Sequence, residues 1–386
     1  GVTADVAVTA GRVTEVGRVS GRGVREIDAS GCVVTPGFVD IHTHFDGQAT
    51  WDPILEPSSV HGVTTVAMGN CGVGFAPAAP DRHDWLISLL EGVEDIPGTA
   101  LAEGLSWEWE SFPEYLDALE RSPHVMDVGA HVPHAAVRTY VMGERGADHT
   151  ARPTPAEIDR MAAIVGEGLL AGAIGFATSR TEIHRTAQGE LIGTLTAGPE
   201  ELTGIAAAMG RAGRGVIQLI SDLYQTVDDD FFDAELALLD EVLAASGRPL
   251  SFTMQQAAHA PERWRSQMAW VDSMVASGRD VKAQVAPRPI GVLMGLEVTA
   301  NPFMLCPTMG TLAPLDLPER VERLRRPDVR EAILAEHAGL TPTLPAGILS
   351  QMSAGVDTFF ELGDPVDYEV DVTRSLGARA RREGRD

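Results

Sequence analysis

The sequence predicts an α/β fold: a TIM (β/α)8 barrel, incomplete, with a small N-terminal β-sheet domain. Two textures and one count lead there. Residues 2–35 alternate short apolar runs with glycine turns, the pattern of a small antiparallel sheet. From Gly37 onward, short apolar runs alternate with long helical patterns, the mark of repeated βα units on a parallel sheet. The strand-like runs number seven, where a closed barrel needs eight.

Taken in order, the N-terminal strands fall in VTADVAVTAGRVTEVG and VREIDASGCVVTP. They assign residues 1–35 to part of a small β-sandwich domain and 36–386 to the barrel. Barrel strands are expected at 38–42, 63–71, 126–131, 173–179, 215–222, 249–255 and 281–285. Helices are expected between them, among them 155–171, 200–210 and 233–246. A helix-rich stretch, 317–337, follows the seventh strand, and a basic helical segment, 374–385, closes the sequence. The eighth strand is expected beyond Asp386 rather than within the irregular 338–370 region. A few residues are expected before Gly1, because the chain opens without Met on a strand-like segment.

A chain of 386 residues, 44% of them hydrophobic, suits one large domain and a small one. Its charge of −25 repels nucleic acid and anionic membranes, so neither is expected as a partner. Three widely spaced cysteines, Cys32, Cys71 and Cys306, argue against a disulfide scaffold and for a reducing, cytoplasmic setting. No apolar run reaches the length of about 18 residues that reads as a membrane span. Residues 1–11 lack the basic and apolar regions of a signal peptide.

The chemistry gathers at strand ends. In Pro36-Gly37-Phe38-Val39-Asp40-Ile41-His42-Thr43-His44, two histidines stand at i and i+2, so their side chains point one way. They lie at the carboxyl end of the first barrel strand, where barrel active sites form. Two imidazoles on one face make half of a divalent metal site. Cys71 ends the second strand inside Gly69-Asn70-Cys71-Gly72, where flanking glycines let backbone and ligand approach closely. A thiolate beside a cation has a depressed pKa and binds zinc well. The alternative for Cys71 is a small buried residue, which is how Cys32 and Cys306 are read.

The segments VTPGFVDIHTHFDGQATWDP and HGVTTVAMGNCGVGFAP resemble the amidohydrolase superfamily, specifically its N-acyl-D-amino-acid deacylase (D-aminoacylase) branch. The resemblance covers nearly the whole chain and is most specific in these two segments. It implies a barrel of the metal-dependent hydrolase type. It also implies hydrolysis of a linear amide, a carbon–nitrogen bond other than a peptide bond, in a small N-acylated substrate by metal-activated water. His42, His44 and Cys71 become metal ligands, with the cysteine standing where many amidohydrolases use a carbamylated lysine. Lys282, the only lysine, is expected on the seventh strand rather than the fourth, which leaves no carbamate bridge. The family keeps one further histidine on strand five and one on strand six. Alignment puts Gln218 and Met254 there, both poor zinc ligands. One zinc ion is therefore expected, the second position being degenerate. The family's catalytic aspartate at the end of strand eight finds no counterpart and is expected beyond the chain end, so the catalytic group is unassigned.

An N-acyl amino acid carries a carboxylate, which arginine grips through two parallel hydrogen bonds. Of Arg138, Arg180 and Arg288 near strand ends, Arg180 and Arg288 are the substrate-binding candidates. His131 and His134 end the third strand and His184 follows the fourth; all three are candidates for substrate contact. Metal binding or proton transfer stays open for the first two, with loop histidines bonded to backbone as the alternative. Beside the deacylase stand two other readings: a diverged barrel that binds without turnover, and a cyclic amidase of the hydantoinase or dihydropyrimidinase type. A homo-oligomer also stays open.

Overall fold

The computed structural model describes residues 1–385 except 288–289, 299, 345–349, 351, 354 and 368. The chain divides into two units, Gly1–Phe38 and Val39–Asp386. In the first, β1 (Asp5–Thr9) and β2 (Arg12–Gly17) form an antiparallel hairpin with Thr9 opposite Arg12. Ala10 and Gly11 make its turn at φ of 50° and 75°, the paired positive values that match a tight turn to strand twist. The strand expected across 24–35 does not form. Val24, Ile27, Val33 and Val34 are at least 63% exposed, so their alternation has no face to bury.

The larger unit is built on a sheet whose seven strands follow sequence order: β3 (Phe38–Asp40), β4 (Val63–Met68), β5 (Asp127–Pro133), β6 (Gly175–Arg180), β7 (Val216–Ser221), β8 (Leu250–Thr253) and β9 (Val281–Gln284). From β4 to β9 each pair is parallel. Helices α1 (His83–Glu94), α2 (Gly98–Gly104) and α3 (Phe112–Arg121) follow β4. Next come α4 (His134–Met142) and α5 (Pro155–Ala171), then α6 (Pro199–Ala212), α7 (Asp229–Ser246) and α8 (Arg263–Ala276), one after each successive strand. All seven sequence-expected strands are present. Among the described residues no eighth follows, and β3 and β9 each have one neighbour, so the sheet is a curled, open half-barrel.

Local chemistry explains where these elements begin and end. Helix α5 opens on a reciprocal cap: Thr154 accepts the Glu157 N–H while the Glu157 carboxylate accepts the Thr154 N–H, and Pro155 occupies the first turn. Met161, Val165, Gly168 and Leu169, spaced by a helical turn, form its buried stripe. At Gly168 an added Cβ would meet Val132 Cγ2 at 2.8 Å, so this glycine lets the helix lie close on β5. The helix-rich stretch expected at 317–337 is two helices, α10 (Leu317–Arg325) and α11 (Pro327–Leu340), after a short α9 (Pro307–Leu312). Pro327 breaks it by pushing Arg326 to ψ of 132°.

Strand alternation sorts the sheet's two faces. Phe176, Thr178, Ile217 and Leu219 line a common interface with Leu202 and Met209 of α6 and Leu239 of α7. Phe252 meets Trp270 of α8 edge-on at 5.9 Å, and burying a ring of this size contributes about 1.5–3 kcal/mol. The opposite parity, Gly175, Ala177, Ser179, Gln218, Ser251 and Gln284, faces the inside of the half-barrel.

Candidate metal centre

His42 and His44 stand just past β3. Thr43, between them, is fixed by two bonds to Ala67 O, from its N–H at 3.0 Å and its hydroxyl at 2.8 Å. Pinning the central residue to β4 turns both flanking imidazoles toward the mouth. Strand β4 stops at Met68, short of the expected 71, because Gly69 turns off the ladder at φ of 75°. Cys71 follows in a left-handed conformation, φ 56°, which costs about 1–2 kcal/mol outside glycine. The surroundings enforce it: Gln218 Oε1 on β7 accepts the Cys71 N–H at 2.7 Å. Gly69 and Gly72 press this loop onto the sheet. A Cβ would meet His131 O at 2.3 Å at the first and Thr178 Cα at 2.8 Å at the second.

The result is a cluster. Ligand atoms of His42, His44 and Cys71 lie within 4.8 Å of one another, and His42 Nε2 is 3.2 Å from Cys71 Sγ. Tetrahedral ligands at about 2.0–2.3 Å from a metal stand about 3.3–3.7 Å apart, so the three donors need to draw in by about an ångström to share one ion. Buried polar atoms without a protein partner gather around it: His44 Nδ1, Asp46 Oδ2, Asn70 Oδ1, His131 Nδ1, Gln218 Nε2 and Thr253 Oγ1. Such atoms are rare in folded proteins, and these six are half of those among the described residues, which leaves the cluster with polar capacity a ligand could fill.

Electrostatics point the same way. Burial, then the charges of His42 and His184, hold His44 well below the usual histidine value. His42 is lowered mainly by burial. Burial and then His42 push His131 down to about 3 and His184 down to about 4. All four imidazoles are therefore neutral at pH 7, the form that donates a lone pair to a metal. Burial pushes Cys71 well up and brings Asp46 to about 8; it also brings Glu94 to about 8, with the Asp46 charge adding to it. The thiolate expected of Cys71 thus requires a cation, which would reverse the cost of ionising all three acids. The donor set fits a divalent metal of the zinc type.

The other sequence candidates divide. His131 faces the barrel interior, and Gly175 beside it leaves the room: a Cβ there would meet His131 Nδ1 at 2.7 Å. His184 is buried and bonded through Nδ1 to Ser179 Oγ at 2.8 Å. His134 points the other way, into the helix layer. Its Nδ1 bonds Thr178 Oγ1 at 2.8 Å and its Nε2 bonds Glu201 Oε1 at 3.1 Å, so it is neither a ligand nor a substrate contact. Arg180 already holds a carboxylate of its own chain. Its Nε and Nη2 bond both oxygens of buried Glu235 at 2.6 and 2.8 Å, and Nη1 bonds Ala197 O. The substrate role expected of it gives way to a tie between β6 and α7. Arg288 lies outside the described residues. Gln218 stands inside the barrel against Cys71, but Met254 does not join it. Ser251 and Thr253 carry Gln218's parity, whereas Met254 shares that of Phe252 and joins the apolar core. Lys282 pairs with Asp280 and is largely exposed.

Three neighbours of the cluster escaped sequence reading. Asp46 carried a signal, since it continues the i, i+2 spacing of His42 and His44. Glu94 and Gln284 carried none, because an acidic helix end and a strand glutamine resemble ordinary solvated positions.

A half-barrel with two histidines and a cysteine converging at its strand ends makes a candidate metal centre on an α/β barrel scaffold. The chain belongs to the amidohydrolase family, which it matches over residues 25–346. It is 30% identical to the N-acyl-D-glutamate deacylase of Alcaligenes xylosoxydans xylosoxydans, over 74% of this chain and 53% of that one. The D-aminoacylase of the same organism is 35% identical over 46% of this chain and 34% of its own length. Among solved structures, a D-aminoacylase with a binuclear metal centre superposes at TM-score 0.58 with 27% identity, over 74% of this chain and 54% of that one. The N-acyl-D-glutamate deacylase of Bordetella bronchiseptica, complexed with zinc and a phosphonate inhibitor, gives 0.58 with 26% identity over 74% and 55%. The chain spans about half or less of the length of these relatives. Among the described residues no helix is long and apolar enough to cross a membrane.

Proposed function

We propose that this chain forms most of the barrel of a zinc-dependent deacylase acting on the linear amide of small N-acyl-D-amino acids. Residues 36–386 supply the barrel and 1–35 part of a small β-sandwich domain, in a cytoplasmic setting consistent with three free cysteines. The observation that carries the reading is the convergence of His42, His44 and Cys71 amid unpartnered buried polar atoms. The deacylase relatives favour a linear over a cyclic amide.

Bound at this cluster, a divalent cation lowers the pKa of a water to about 7 and polarises an amide carbonyl. The chain's own residues do the rest. His42 and His44 offer neutral imidazoles, and Gln218 holds the Cys71 backbone so that its sulfur faces His42. Burial within electrostatic reach of His42 supports His131 and His184 as the residues that touch the N-acylated substrate. With Gln218 in place of a strong ligand, one zinc is bound.

Metal analysis of the whole protein that carries this chain, paired with acetate release from N-acetyl-D- and N-acetyl-L-amino acids, tests this. About one zinc per chain, lost in His42→Ala and Cys71→Ser, with turnover confined to D-substrates, is expected. Absence of bound zinc, or turnover of hydantoins alone, would refute it.

A further inference from the structure

Each imidazole of the cluster has its second nitrogen held by a side chain from a remote part of the fold. His42 Nδ1 lies 2.9 Å from Gln284 Oε1 on β9, 242 positions along the chain. His44 Nε2 lies 3.1 Å from Glu94 Oε1, on the last residue of α1. Gln284 Oε1 can only accept, so His42 carries its hydrogen on Nδ1; Glu94, ionised once a cation is bound, likewise accepts and sets the hydrogen of His44 on Nε2. The lone pairs then fall on His42 Nε2, the atom 3.2 Å from Cys71 Sγ, and on His44 Nδ1, which is buried and has no partner. The two rings are set in opposite tautomers, and in each the nitrogen left free is one the cluster can use.

We propose that Glu94 and Gln284 are positioning residues that fix these tautomers for metal binding. The inference rests on the zinc reading of the site. Glu94 does more than a neutral acceptor could. A carboxylate bonded to the far N–H of a ligating imidazole raises its basicity and locks its ring, and removing such a partner costs about 10–100-fold in metal affinity. Helix α1 places it, because the chain turns at Asp95 (φ 54°) directly after Glu94, leaving that residue at the mouth. Gln284 plays the same part from the last strand of the sheet and links the two open edges of the half-barrel through His42.

The test uses the full chain, metal-free, titrated with zinc against a chelator and with cobalt(II), whose thiolate charge-transfer absorption reports Cys71 coordination. Glu94→Ala is expected to weaken both metals about 10–100-fold, and Glu94→Gln, which keeps an acceptor oxygen but not the charge, to recover part of that loss. Gln284→Leu should weaken binding and Gln284→Glu restore it. The thermal midpoint of the metal-free variants should not fall, since a purely structural role would lower it. Unchanged affinity in Glu94→Ala and Gln284→Leu overturns the proposal, as does a loss that the acceptor-retaining variants fail to recover. If the unsubstituted chain binds neither metal, the zinc reading itself fails and this inference with it, a result distinct from either of those.

Discussion

Replacing Glu201 by alanine tests whether His134 belongs to the frame or to the site. Glu201 is 1% exposed and Arg138 0%, and Glu201 Oε1 accepts from both Arg138 Nε at 3.0 Å and His134 Nε2 at 3.1 Å. The remaining Arg138 donors reach the carbonyls of Gly146, Asp148, Ala151 and Gly193, so without Glu201 a buried guanidinium keeps only neutral partners. Breaking a buried pair this way costs about 3–5 kcal/mol. A unit of roughly 350 residues has an unfolding entropy of about 0.7 kcal/mol/K, so the midpoint should fall by about 4–7 °C. The assay is thermal unfolding of the metal-free chain by circular dichroism, with zinc affinity measured in parallel and expected to be unchanged. Removing both charges in Arg138→Met with Glu201→Leu should recover part of the loss. The pH dependence has a definite sign. Burial pushes the Glu201 carboxyl up, but the hydrogen bond and charge of His134 and the charge and bond of Arg138 prevail and hold it below its ordinary 4.5. Its stabilisation is therefore complete above pH 4.5 and is lost as the pH falls below that, and Glu201→Gln should flatten this acid limb. A shift under about 1 °C on the scale just derived, or weakened zinc binding at an unchanged midpoint, would refute the reasoning and return His134 to the site.

Three further outcomes are expected. Gly69→Ala, which places a Cβ 2.3 Å from His131 O at φ of 75°, should cost at least about 2 kcal/mol and weaken zinc binding, as read by denaturant unfolding and metal titration. Arg180→Met should destabilise by about 3 kcal/mol, because Glu235 is left buried with only Ser221 Oγ beside it, while substrate KM stays constant; a selective rise in KM would restore the carboxylate-gripping role. Gln218→Leu removes the acceptor of the Cys71 N–H and should cost about 1–3 kcal/mol, with an altered cobalt–thiolate band as its spectroscopic check.

The strands were legible because each is a short apolar run bounded by turn residues, and helix α5 because its cap, its proline and its apolar spacing agree. The break at Met68 was visible as Gly69 itself, although the strand was read as running through it, and Pro327 marks where the helix-rich stretch divides. The strand over 24–35 was misread because alternation shows that a face could be buried, not that another surface covers it.

At the site the same division holds. By itself the sequence determined that His42 and His44 share a face, since residues i and i+2 of a strand point the same way, and that Cys71 lies between glycines that permit a tight approach. Only the tertiary structure decided which of the remaining polar residues join them. His131 turns into the barrel and His134, three residues on, turns into the helix layer, because one sits on the strand and the other opens α4. Arg180 closes on Glu235, while Glu94 and Gln284 arrive at the imidazoles from an α-helix and the far edge of the sheet. Those meetings depend on how the sheet curls and where a helix stops. Both are set by packing summed over the whole unit, whereas a local pattern carries only the direction of a side chain from its own backbone.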